Sequence, residues 1–205
     1  MKLTSTFFIK LFCRFIGAMP EIVKELEQKL KLMNGTEHET IEKVDILNKL
    51  SWELQQKHAT RALELSLEAE EISQVLGYQK GQAYALCNEG MSYKHLSEYD
   101  QALIKCEEAL RLFEMLNDQS GKVSTLHSLA NLYENMGENE KALRYYRMCL
   151  NECTEHQEPL IRISTHFHIG KILVRSNQII SGLAHLHDAR NIAIEAMDKR
   201  NDLPN

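Results

Sequence analysis

SLANLYENMGENEKALRYY, running from Ser128 to Tyr146, sets small residues at Ala130 and Ala142 and aromatic ones at Tyr133 and Tyr146, on either side of Gly137. Two apolar helical stretches that each carry a small residue, joined by a glycine turn, read as a closely packed helical hairpin. Laying the chain on itself with an offset of forty repeats these classes. Gly90 meets Ala130 and Gly170, Tyr93 meets Tyr133 and Leu173, Ala102 meets Ala142 and Gly182, and Ala109 meets Cys149 and Ala189. Leu86 and Leu126 are followed in the same register by the odd His166. A copy further upstream, one residue shorter in its turn, aligns Leu47, Leu50, Ser51 and Leu54, then Ala62 and Ala69. Recurrence at a fixed period marks an array of stacked hairpins rather than a single helix–turn–helix.

The residues Leu126, Leu129, Ala130, Tyr133, Ala142, Tyr146 and Cys149 resemble the tetratricopeptide repeat. That pattern has a large apolar residue at position four, leucine at seven, a small residue at eight and an aromatic at eleven. Alanine follows at twenty, an aromatic at twenty-four and alanine at twenty-seven. The resemblance runs from about 44 to 198 over four copies, with departures at Glu89, Ser66 and Cys106 and no proline at position thirty-two. The long period is similar to that of kinesin light chains, Leu-Gly-Asn-repeat polarity regulators and bacterial Rap-type regulators. It is also similar to input regions of bacterial histidine kinases, nucleotide cyclases and diguanylate cyclases. The resemblance implies an all-α, right-handed α-solenoid of antiparallel helix pairs, a superhelix of the tetratricopeptide kind.

The spacing predicts helix pairs over about 38–56 with 59–76, 79–96 with 99–116, 119–136 with 139–154, and 159–176 with 179–198. A shorter helix over 20–33 begins at Pro20, a residue suited to a first turn, and "NGTEH" separates it from the array. The expected organisation is a leader over 1–19, a capping helix and linker over 20–37, and a solenoid over 38–205 that stops short of further repeats or an effector domain. In the leader, Phe8, Leu11, Phe12 and Phe15 share a helical face, but Lys10 and Arg14 interrupt the run. It is too short and too broken for a membrane span, so membrane-surface contact is the lesser reading beside a packed helix or a start at Met19.

Composition narrows the function classes. The 205 residues are 43% hydrophobic and 26% charged, with a formal net charge of −5 and no basic stripe, which argues against nucleic acid. Five cysteines, an odd number inside apolar helical patterns, indicate reduced thiols and a cytoplasmic setting. Cys149 and Cys153, four apart, read as packing residues before a redox pair. No phosphate loop, dinucleotide fingerprint, nucleophile elbow or zincin motif occurs, so no enzyme and no cofactor is expected. His166 with His168, and His185 with His187, form two H-x-H pairs, whose members point to different sides of a helix. One histidine from each helix could meet, but two ligands hold zinc weakly, so interhelical hydrogen bonding is favoured and no metal site is assigned.

In tetratricopeptide arrays the first helices of successive pairs line a concave groove, with positions two, five, nine, twelve and thirteen pointing into it. Carried over, these are Asn48, Trp52 and Gln55, then Tyr84, Cys87, Met91 and His95, then His127, Asn131 and Glu134, and finally Phe167, Lys171 and Arg175. The resemblance implies a protein or peptide partner in that groove. Trp52, the single tryptophan, fits either an anchor for a bound segment or a cap under the 20–33 helix. Lys171 and Arg175, four apart, fit either a partner carboxylate or a solvated pair. The two-carboxylate clamp of chaperone-binding members is not carried over, because His127 stands where it requires lysine. The expected role is a protein-binding module, the sensory or scaffolding input region of a signalling protein such as a diguanylate cyclase or histidine kinase. The rival readings are self-assembly into a homodimer through the apolar C-terminal end, and a free-standing enzyme.

Overall fold

The computed structural model describes residues 21–33, 40–153 and 159–201, with side chains described as far as 198. The expected leader, the break at 34–38 and the last four residues lie outside these. The described residues are helical apart from short turns. After α1 (21–33) come α2 (Ile41–Leu54), α3 (Ala59–Leu76), α4 (Gln79–His95), α5 (Tyr99–Met115), α6 (Gln119–Asn135), α7 (Asn139–Glu152), α8 (Pro159–Arg175) and α9 (Ile179–Asn201). None is long and apolar enough to cross a membrane.

The turns show why the sequence repeats. Gly77, Ser97, Asn117, Gly137 and Asn177 all have positive φ, between 52° and 79°, at a strict spacing of twenty residues or its double. After each, a backbone N–H reaches back to close the preceding helix: Tyr78 to Ser73, Glu98 to Tyr93, Asp118 to Phe113, Glu138 to Tyr133 and Gln178 to Leu173, at 2.8–2.9 Å. This is the left-handed helix stop, in which one residue past the helix turns the chain and satisfies carbonyls that the helix leaves open. Gly77 and Gly137 adopt it without strain, whereas Ser97 bears the usual cost for a side chain there. The turn after α2 has no such residue. His58 N–H instead bonds to Leu54 O at 2.8 Å, which accounts for the shorter first copy. That helix begins at Ile41 rather than 38 because the Thr40 hydroxyl accepts from Lys43 N–H at 3.1 Å and caps it there.

The chain divides within α5 into two compact units, Met1–Ala102 and Leu103–Asn205. In the first, Leu26 and Leu30 of α1 join Val44, Leu47, Leu50 and Leu54 of α2, Ala62, Leu65, Ala69 and Ile72 of α3, and Ala85 of α4 in one core. In the second, Ala130 and Tyr133 of α6, Ala142 and Tyr146 of α7, and Ile169, Ile172 and Leu173 of α8 pack together. Val123, Leu126 and Cys149 form a neighbouring cluster.

The small residues do what their spacing requires. In α2 and α3 the Ser51 hydroxyl donates to Ala62 O at 2.7 Å, so the two backbones all but touch. In α8 and α9 a Cβ on Gly170 would lie 2.9 Å from the carbonyl oxygen of Gly182, closer than real side chains come. On α9, Ile179, Ile180 and Leu183 remain exposed, Ile180 at 87%.

Candidate functional site

Three elements of the second unit converge on one carboxylate. Glu134, near the end of α6, is only 10% exposed. Lys171 of α8 donates to its Oε1 at 2.6 Å. His168, one turn earlier on α8, donates from Nδ1 to Oε2 at 2.7 Å. From α7 the Tyr146 hydroxyl proton is shared between Glu134 Oε2 at 3.0 Å and Asn131 Oδ1 at 2.9 Å. Asn131 lies three residues before Glu134, so both face the same side of α6. With its oxygen held by Tyr146, the amide of Asn131 is turned so that its NH2 group is the remaining donor.

Aromatic rings wall this cluster. His168 stacks on Tyr146 with centroids 5.4 Å apart, and Phe167 meets His168 edge-on at 5.8 Å. His127 of α6 lies tilted against Tyr146 at 5.6 Å. Its Nδ1 is 2.9 Å from the Thr165 hydroxyl, and its Nε2 is 3.3 Å from that of Ser164. Phe167 is 44% exposed, so the rim offers an apolar ring beside a polar, internally paired floor.

The electrostatics follow from that pairing. Burial pushes the Glu134 carboxyl upward. Hydrogen bonds from His168 and Lys171, the His168 charge and the Tyr146 hydroxyl outweigh it and bring the carboxyl down to about 2. Tyr146 moves the opposite way: burial, then the adjacent Glu134 charge, pushes its phenol far above the ordinary tyrosine range. The cluster therefore holds Glu134 as a fixed anion, bonded by Lys171, His168 and Tyr146.

His127, Asn131, Phe167 and Lys171 thus come together. Lys171 is not a solvated partner of Arg175, as one reading had it, and its charge already meets the chain's own Glu134. Arg175 is exposed on α8. Spacing did not single out Tyr146 and His168 for this site. Tyr146 reads in sequence as a packing aromatic, and His168 as half of an H-x-H pair.

In the first unit Asn48 is buried, donating from Nδ2 to Gly81 O at 2.9 Å and accepting at its backbone oxygen from Asn88 Nδ2 at 2.9 Å. Met91 is buried too, and Tyr84 is half-buried with Lys80 Nζ 5.9 Å from its ring centroid. His95 is exposed, and Trp52 is 45% exposed.

The tetratricopeptide repeat family model matches residues 81–151. Among curated proteins the chain is 38% identical over 71 residues to the photosystem I assembly protein Ycf3 of Synechococcus sp. (strain CC9605), covering 35% of this chain and 39% of that protein. The chain spans about two fifths to half the length of the curated relatives it matches. Among solved structures it is similar to a Rap protein complexed with Competence and Sporulation Factor, at a TM-score of 0.81 and 13% identity, over 94% of this chain and 54% of that one. A putative kinesin light chain from Podosopora anserina with nearly identical TPR-like repeats matches at a TM-score of 0.62 and 14% identity, over 96% and 97% of the two chains. These two likenesses concern the fold.

Proposed function

We propose that this chain, whose residues 81–151 match the tetratricopeptide repeat family model, is a non-enzymatic module that holds an extended segment of a partner protein against the α6–α8 site. The observation that carries this reading is the pairing of a fixed donor with an exposed ring. Asn131 is oriented by Tyr146 to donate to a peptide carbonyl, and Phe167, edge-on to His168 of the same cluster, offers apolar contact. Trp52 in the first unit is a second exposed anchor of the type that dominates binding energy. Lys171, already neutralised by Glu134, positions the floor rather than seizing a partner carboxylate.

Of the finer roles, assembly of a protein complex has the support of the curated relatives, which are named as assembly proteins. The reading as an input region of a signalling protein rests on likeness in fold alone, to a Rap protein complexed with Competence and Sporulation Factor. A cytoplasmic setting fits the buried, reduced thiols of Cys87, Cys106 and Cys149.

Selection from a random peptide library on the full chain tests the site. Selected peptides should lose about tenfold or more in affinity against Asn131→Ala and against Phe167→Ala. Equal affinity for both variants and the parent would overturn the α6–α8 assignment. If Trp52→Ala alone weakened binding, the partner site would belong to the first unit.

A further inference from the structure

The last hairpin holds a second cluster, apart from the Glu134 network. His166 of α8 and His185 of α9 face each other with their Nδ1 atoms 3.1 Å apart. Asp188, one turn beyond His185, brings Oδ2 to 3.6 Å from His166 Nδ1. One ligand atom from each of the three residues lies within 4.8 Å of the others. We propose that His166, His185 and Asp188 form a binding site for a divalent transition-metal ion of the zinc class.

Geometry carries the assignment. Two donors at about 2.0–2.1 Å from one tetrahedral ion lie about 3.3 Å from each other. The separations of 3.1 Å and 3.6 Å straddle that edge length. Two imidazoles with a carboxylate are a ligand set that zinc and its neighbours accept, with a further position left open. The packing behind the site is built into the chain. The Gly170–Gly182 contact brings α8 and α9 together one turn away, close enough for side chains from both helices to share an ion. His166 occupies the register where the preceding copies have Leu86 and Leu126, so this hairpin differs from the others at the ligand position itself.

Arg162, one turn earlier on α8, adds a positive charge that works against cation binding, and the Asp188 carboxylate offsets it. Asp188 is 52% exposed, so the open coordination position faces outward, to water or to a donor from a bound protein. An ion there would tie α8 to α9.

Zinc titration of the full chain by calorimetry, with cobalt absorption as a second readout, tests the proposal. One equivalent of zinc should bind and raise the melting temperature. His166→Leu, which restores the residue of the other copies, should abolish binding while leaving the helical circular dichroism unchanged. Asp188→Asn, at an exposed position that cannot unfold the chain, should weaken binding tenfold or more. Zinc binding undiminished in both variants would overturn the site, as would no binding by the parent chain at 100-fold excess metal. A thiolate-to-cobalt band would also overturn it, by assigning the ion to cysteine.

Discussion

Successive first helices are joined by amides in the first unit and by ions in the second. Between α2 and α4, Asn88 donates to Asn48 and Asn48 donates to Gly81, all buried and none able to titrate. Between α6 and α8, the Glu134 carboxylate receives His168 and Lys171. The repeat backbone therefore sets where side chains from neighbouring hairpins meet and leaves their chemistry open. The Asn48–Asn88 contact is one that pH does not reach, while the Glu134 contact carries a charge that folding must keep paired.

The largest effect should come from breaking the ionic arrangement. Glu134→Leu leaves Lys171 without its counter-charge and His168 without its acceptor, and should cost the second unit about 3 kcal/mol. Amide exchange should show α6 and α8 opening faster while α2 and α4 keep their protection. Equal loss in both units would mean that they unfold as one block, and the contrast would collapse. Acid sharpens the same test. The Glu134 carboxyl is held at about 2 against an ordinary 4.5, so its contribution is complete above about pH 4.5 and is lost as the pH falls toward 2. Protection in α6 and α8 should fade through that window before protection around the Asn48–Asn88 pair does.

Next in size is the close approach at position eight. Gly170→Ala would drive a methyl group to within 2.9 Å of the Gly182 carbonyl oxygen, and should cost about 2 kcal/mol by thermal unfolding. Ser51→Ala, at the same position in the first unit, removes one hydrogen bond without a clash and should cost about 1 kcal/mol. Matching costs would show that the two hairpins are packed alike despite their different residues. The smallest contrast concerns the amide pair: Asn88→Ala deprives the Asn48 carbonyl of its donor and should cost about 1 kcal/mol at any pH from 3 to 8. A pH-dependent cost would mean that a titrating group takes part there.

Much of the array was legible because close packing leaves few residue choices. Ser51, Ala130 and Gly170 are small at one position of the repeat, and Ala62, Ala142 and Gly182 at another, because the helix backbones approach there. His127, Asn131, Phe167 and Lys171 could be assigned to one side of their helices by angle alone. The partner of Lys171 could not. A lysine four residues from Arg175 says nothing of a glutamate thirty-seven residues earlier. Tyr146 was visible as an aromatic that fills the core, but the direction of its hydroxyl is set by the rotamer that packing allows. Asp188 was one acidic residue among twenty-nine until α8 and α9 were placed side by side.

The helices, their pairing and the period follow from the order of residue types along the chain. These depend on local propensity, on left-handed turn residues spaced by twenty, and on small side chains at contact points, all of which are one-dimensional patterns. That Glu134 answers Lys171 and His168, that Asn88 answers Asn48, and that His166 meets His185 emerges once the helices are packed. Those encounters join residues from nineteen to forty positions apart. They are settled by the relative placement of helix axes and by side-chain rotamers, to within an ångström that no periodicity encodes.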